Sequence, residues 1–189
     1  MKRRYGFCLV FFLSTYLSAS VAESVHPLSS PTDSKQDERL FGAWRGRGEH
    51  ANIYLHFGRV TNGRTEILVV EHESNGRLDV SNYIMFPREA DSHSYMDAQS
   101  IHPEHGKSGF VFVKYSIDKA RKKLALWLMD DDKVREAIEN GTLGGHVKTG
   151  RFGSRVELTD ATPRLAEFIR DDHEHLFTSL GVFNRVASR

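Results

Sequence analysis

The sequence predicts a mainly β domain: an eight-stranded antiparallel meander barrel with a short helix before its last strand and a helix at its C-terminal end. Three observations carry this. Apolar residues mostly alternate from Leu40 to Thr159; turn-forming residues recur about every 8–12 positions, the spacing of an antiparallel sheet or barrel; and two Asn-Gly pairs fall between alternating runs.

The Asn-Gly pairs define the first part of the order. Asn62-Gly63 joins the run Asn52–Val60 to Thr65–Glu73, and Asn75-Gly76 joins that run to Leu78–Phe86. Asn-Gly accepts the positive φ angles of a type I′ turn, whose twist matches the flanking strands, so the three runs form a hairpin series. The third run alternates plainly, with Leu78, Val80, Ile84 and Phe86 on one side and Asp79, Ser81 and Tyr83 on the other. Asn82 is the exception on the apolar side. Further strands are expected at Phe41–Gly46, Ser94–Ile101, Gly109–Ile117, Lys123–Met129 and Gly153–Leu158. The run Leu124-Ala125-Leu126-Trp127-Leu128-Met129 is apolar on both faces, which predicts a strand covered on both sides. Eight strands close a barrel that side chains fill or that holds one small ligand. A β-sandwich or an open sheet with packed helices is the competing architecture.

Two helices interrupt the strand pattern. The first begins in Asp130, Asp131 and Asp132, which favour a helix N-terminus, carries Val134, Ala137 and Ile138 on one face and stops at Gly141. The second has Thr162 as its cap and Pro163 in its first turn, with Leu165, Phe168, Ile169, Leu176 and Leu180 on one stripe before Gly181.

The N-terminal part predicts export. Lys2, Arg3 and Arg4 precede an apolar run from Tyr5 to Leu17 and small residues from Ser18 to Ala22, the order of a cleavable signal peptide over residues 1–22. The run is shorter than the roughly 20 residues that cross a bilayer. Residues 23–38 are polar, with Pro27, Pro31 and several serines, and read as a flexible leader, leaving residues 39–189 as one domain. The protein is thus expected in the periplasm or outside the cell, without a transmembrane anchor after cleavage.

Composition narrows the function. The full chain has 26 Lys and Arg against 25 Asp and Glu, and loss of Lys2, Arg3 and Arg4 makes the mature domain slightly acidic. Nucleic-acid binding, which needs a basic excess, is not expected. Cys8 is the single cysteine and leaves with the signal, so thiol nucleophiles, thiolate metal sites and disulfides are excluded from the mature domain. A domain of about 150 residues buries roughly 68–70% of its unfolded surface and needs no staple.

Gly42-Ala43-Trp44, set in Leu40-Phe41-Gly42-Ala43-Trp44-Arg45 at the start of the first strand, resembles the lipocalin-like (calycin) class, as do the antiparallel series and the packed C-terminal helix. The resemblance implies that Trp44 closes one end of the barrel under an arginine from the last strand or just beyond it, with Arg155, Arg151 and Arg164 as candidates. A barrel of this shape with an open mouth is expected to be a non-enzymatic module that binds a small apolar or lipid-like molecule without a cofactor.

The residues that would line such a site are Trp44, Tyr54, Asn82, Tyr83, Tyr95, Tyr115 and Trp127, aromatic surface with a few hydrogen-bonding groups; the same residues also suit a core with no cavity. A filled core would instead suit an envelope interaction or inhibitor module with an exposed apolar patch. A third reading, a metal-dependent enzyme, rests on His93, His102 and His105, with Asp97 and Glu104 nearby, although a polar turn between two strands is the preferred account of them. Glu71 and Glu73 share a strand face, where burial suits them to acid and base work and exposure to solubility. Asp171 to His175 read as a solvated helix surface. No G-x-S-x-G elbow or glycine-rich phosphate loop occurs.

Overall fold

The computed structural model describes residues 21–28, 34–60, 64–90, 93–101, 109–120, 122–150 and 153–187. In chain order it contains β1 (Glu23–Ser24), β2 (Gly42–Gly46), β3 (Ile53–Arg59), β4 (Thr65–His72), β5 (Leu78–Ala90), β6 (His93–Ser100), β7 (Val111–Asp118) and β8 (Lys123–Met129). These are followed by α1 (Asp131–Glu139), β9 (Gly145–Gly150), β10 (Gly153–Leu158), α2 (Thr162–Leu176) and β11 (Phe177–Arg185).

Eight strands close into an antiparallel barrel in the order β11-β2-β3-β4-β5-β6-β7-β8. The closing strand differs from the sequence expectation. Gly153–Leu158 does not pair with the first barrel strand; it forms β10 of a separate three-stranded sheet, between β1 and β9. The barrel is closed by β11, which pairs with β8 through Phe177↔Met129 to Asn184↔Lys123 and with β2 through Phe183↔Gly46 and Arg185↔Trp44. The expected C-terminal helix accordingly ends at Leu176, and Leu180 lies in a strand. That helix also starts differently: Ala161 is its N-cap, and the Thr162 hydroxyl donates to the Pro27 carbonyl at 2.7 Å.

Alternation around the barrel produces two cores. Inward residues, among them Trp44, Leu55, Ile67, Met96, Val113, Leu126 and Phe183, form the first. Outward residues of β6, β7, β8 and β11, including Tyr95, Phe112, Met129 and Phe177, pack with Val134 of α1, Val156 of β10 and Leu165 and Ile169 of α2 to form the second. The doubly apolar run Leu124–Met129 is covered on both sides, because β8 stands between the two cores.

The face assignment of β5 is the reverse of what its apolar side suggests. Tyr83 and Met85 face inward at 8% and 7% exposure, while Leu78 and Val80 stand outward at 56% and 55%. The Asn75-Gly76 turn lies between β4 and β5, with Gly76 at φ +85, a region that favours glycine. The other pair, Asn62-Gly63, lies outside the described residues.

The stretch expected to be a flexible leader contributes to the fold at both of its described ends. Glu23–Ser24 pairs in parallel with Glu157–Leu158, and Ser24 exchanges two backbone hydrogen bonds with Phe110, both 2.8 Å. Leu28 is buried and its N–H donates to Asp97 Oδ2 at 3.0 Å. Burial of the Asp97 carboxylate, at 0% exposure, demands such donors.

Candidate functional site

The two ends of the barrel differ. One end is sealed by residues 34–41, which run beneath the start of β2. The Lys35 N–H donates to the Pro87 carbonyl at 3.3 Å, and Gln36 Nε2 donates to the carbonyls of Val60 at 3.1 Å and Arg64 at 2.7 Å. Leu40 is fully buried and accepts a 2.7 Å hydrogen bond from Trp44 Nε1. The arginine over Trp44 is Arg185, on the closing strand, with its guanidinium 4.3 Å from the indole ring centroid. It donates to the Phe41 carbonyl at 2.7 Å and also to the Arg39 carbonyl.

Arg155 and Arg164 are occupied elsewhere: Arg155 pairs with Glu23 at 2.5 Å, and Arg164 pairs with Glu167 at 3.0 Å and donates to the Thr142 carbonyl. Arg151 lies outside the described residues.

A polar network completes the seal. Arg39 donates from Nε and Nη2 to the two oxygens of Asp37 at 2.7 and 2.6 Å, and the inward Tyr115 hydroxyl donates to Asp37 Oδ2 at 2.9 Å. Burial by itself would raise the Asp37 pKa, but hydrogen bonds from Arg39 and Tyr115 outweigh it and hold the carboxyl below its ordinary value. Burial, followed by the nearby Asp37 charge, pushes the Tyr115 phenol well above its ordinary value.

Replacing Tyr115 with Phe is expected to cost about 1.5–3 kcal/mol at neutral pH, the range for a hydrogen bond to a charged group. Because the folded-state pKa of Asp37 is depressed, its stabilisation is full above the unfolded value, about 3.9, and is lost as pH falls through the folded value. The penalty should therefore shrink on acidification, which urea unfolding at neutral pH and near pH 3 measures.

At the opposite end the inner face becomes polar. Glu71 pairs in register with Ile53 and with Asp79, and alternation places Glu71, Asp79 and Ser81 on the same face as Val69 and Tyr83. Asn52 Nδ2 donates to Glu71 Oε1 at 3.1 Å. The Tyr83 phenol hydrogen-bonds with Ser81, and its pKa is raised, chiefly by burial. The single turn Gly48–His50 sits on this rim. A Cβ on Gly181 would come within 2.8 Å of His50 Cδ2, and a Cβ on Gly46 within 2.0 Å of the His50 carbonyl oxygen, so both glycines permit the close approach. The inner core is buried throughout: Trp44, Met96, Leu124 and Phe183 are at 0% exposure, and Val69, Tyr83, Met85 and Val111 at 6–8%.

The aromatic and polar residues singled out in the sequence divide among three places. Trp44, Tyr83 and Tyr115 belong to the inner core. Tyr95 and Trp127 belong to the second core outside the barrel, Tyr95 with its ring 5.8 Å from that of Phe177 and Trp127 beneath the Lys114 ammonium at 5.9 Å. Tyr54 and Asn82 lie on the outer face, Tyr54 beside His72 at 5.1 Å and under Arg45 at 5.5 Å, and Asn82 Nδ2 donating to Glu66 at 2.6 Å. Arg185, Asp37 and Arg39 were not visible as site residues, since neither the Ser- and Pro-containing N-terminal stretch nor the C-terminal segment carries a pattern that names its partner.

His93 is half-buried with its ring 6.4 Å from that of Tyr95; His102 and His105 lie outside the described residues. Among the described residues no group of three or more His, Cys, Asp or Glu could hold a metal ion, and no helix is long and apolar enough to cross a membrane. Compared with protein-family models, with curated proteins and with solved structures, the chain matches none of them.

Proposed function

We propose that the chain is an exported, lipocalin-like binding module that holds a small molecule with an apolar body in the half of the barrel remote from Trp44. The change of lining between the two ends carries this reading: Leu40 and Trp44 fill one end of the interior, whereas Glu71, Asp79 and Ser81 share the inner face with Val69 and Tyr83 at the other. An apolar enclosure with a few convergent polar groups is the usual form of a small-molecule site. Ser81, Tyr83 and Glu71 supply the polar groups at the rim. An arginine of the last barrel strand over the first-strand tryptophan is the arrangement that the lipocalin-like resemblance implies, and Arg185 over Trp44 supports the reading in that respect. The signal-like residues 1–22 support export.

The test is fluorescence of N-phenyl-1-naphthylamine titrated with the purified domain. The expected result is saturable enhancement by the wild-type protein and at least about tenfold weaker binding by Val111→Trp, which fills the upper interior, with the fold retained by circular dichroism. Absence of saturable enhancement in the wild type would remove the ligand reading.

A second reading, an envelope protein-interaction module, is favoured by one observation: the outer face of β4 and β5 exposes Leu68, Leu78 and Val80, and Ile101 hydrogen-bonds alongside Asn82 at the same face. Such strips mark interaction sites in soluble proteins. Val80→Asp separates the readings, because it should leave naphthylamine binding intact and abolish any association made through that face.

A further inference from the structure

Within Ser18 to Ala22 the small-residue rule for signal cleavage is satisfied twice. A cut after Ala22 uses Ser20 and Ala22, and a cut after Ser20 uses Ser18 and Ser20. The fold distinguishes the two. Val21 packs in the inner core at 8% exposure and Ala22 in the second core at 1%. The Ala22 N–H donates to the Asp131 carboxyl at the start of α1, and the chain then enters β1. A cut after Ala22 discards both buried side chains and that donor. A cut after Ser20 keeps them.

Asp131 supplies an independent observation. It is half-buried, and its Oδ1 has no hydrogen-bond partner among the described residues. Asp130 and Asp132 repel its charge, Arg135 attracts it, and burial, the largest influence, pushes its pKa up to about 6. Arg135 is hydrogen-bonded to Asp132 instead, so Asp131 Oδ1 is left without a donor among the described residues. We propose that the mature chain begins at Val21, released by cleavage after Ser20, and that its new α-ammonium forms an ion pair with Asp131. The Val21 nitrogen is one residue from the N–H that already holds this carboxyl, and adjacent Cα atoms are about 3.8 Å apart, which puts the new ammonium in the neighbourhood of the unpartnered oxygen. In the uncut chain the same nitrogen is a neutral amide and cannot make the pair.

The inference rests on the export part of the proposed function, and one measurement separates their failures. Intact-mass analysis of the protein recovered after secretion of the full chain should find Val21 at the N-terminus. A start at Glu23 overturns this inference and leaves export standing, whereas an uncut chain overturns both.

The ion pair is tested on chains released from a fusion so that they begin at Val21 or at Glu23. The Val21 chain should melt roughly 4–8 °C higher, the shift that loss of a buried valine and a charge pair gives in a domain of this size. Asp131→Asn should lower the melting temperature of the Val21 chain and not that of the Glu23 chain. N-terminal acetylation of the Val21 chain should erase the part of the difference that depends on Asp131. If acetylated and free Val21 chains melt together, the ammonium does not pair with Asp131.

Discussion

A chain ended at Leu176 is expected to lose its cooperative fold. The residues removed include β11, which pairs along most of its length with β8 and at its end with β2. Its loss leaves the β8 edge and the end of β2 with unpaired N–H and C=O groups. It also removes Phe183, fully buried in the inner core, Phe177 from the second core and the Arg185 guanidinium from above Trp44. Each buried phenylalanine alone is worth about 3–5 kcal/mol against alanine. Two of them, with the lost ladder, exceed most of the 5–15 kcal/mol by which a domain is typically stable. Urea unfolding followed by near-ultraviolet circular dichroism should show a broad or absent transition. A sharp, two-state transition in the truncated chain would mean that another segment closes the barrel. Had Gly153–Leu158 been the closing strand, the same truncation would have removed a surface tail.

The error about the closing strand has a physical source. Leu176 and Leu180 are four residues apart and extend the stripe of Leu165 and Ile169, so their spacing satisfies a helix. The period of two that would have revealed β11 is broken between Ser179 and Gly181, where the pairing with β8 shifts register. A bulge of this kind moves successive side chains to the same face and hides a strand from a periodicity argument. Gly153–Leu158 was legible as a strand, but alternation gives no information about which strand it pairs with. Likewise β5 showed its two faces clearly and not which was inside; the interior takes Tyr83 and Met85 and leaves Leu78 and Val80 in solvent.

What was legible rested on local chemistry. The runs flanking Asn75-Gly76, the strand covered on both sides at Leu124–Met129, and the first helix, which Asp130 caps by accepting from the N–H groups of Asp132 and Lys133, each follow from residues close in sequence. The seal of the barrel floor depends instead on partners far apart in the chain, Tyr115 on Asp37 and Arg185 on Arg39 and Phe41. Of its members, Trp44 alone stood in a recognisable pattern.

Replacing Trp44 with alanine is expected to cost about 3–5 kcal/mol, the range for removal of a buried Trp or Phe. Trp44 is at 0% exposure between Leu55 and Arg185 in register, so the space it leaves opens inside a closed barrel and has little freedom to collapse. The variant also leaves the Leu40 carbonyl without the indole N–H it accepts from, and it removes the ring beneath the Arg185 guanidinium. Arg185→Ala should cost about 2–3 kcal/mol, because the carbonyls of Phe41 and Arg39 lose a charged donor as well as the cation–π contact. The two losses should not add. Each single variant already destroys the ring–guanidinium contact, so the double variant should fall short of the sum by about 1–2 kcal/mol, as expected for residues that share an interaction. Arg185→Lys discriminates further: it keeps the charge but lacks the planar fork that reaches two carbonyls while lying flat on the indole, and should recover less than half of the loss. Urea unfolding of the four members of the cycle measures the coupling. Strict additivity would show that Arg185 and Trp44 act separately, and the floor of the barrel would then be held by the Asp37 network without the cation above the ring.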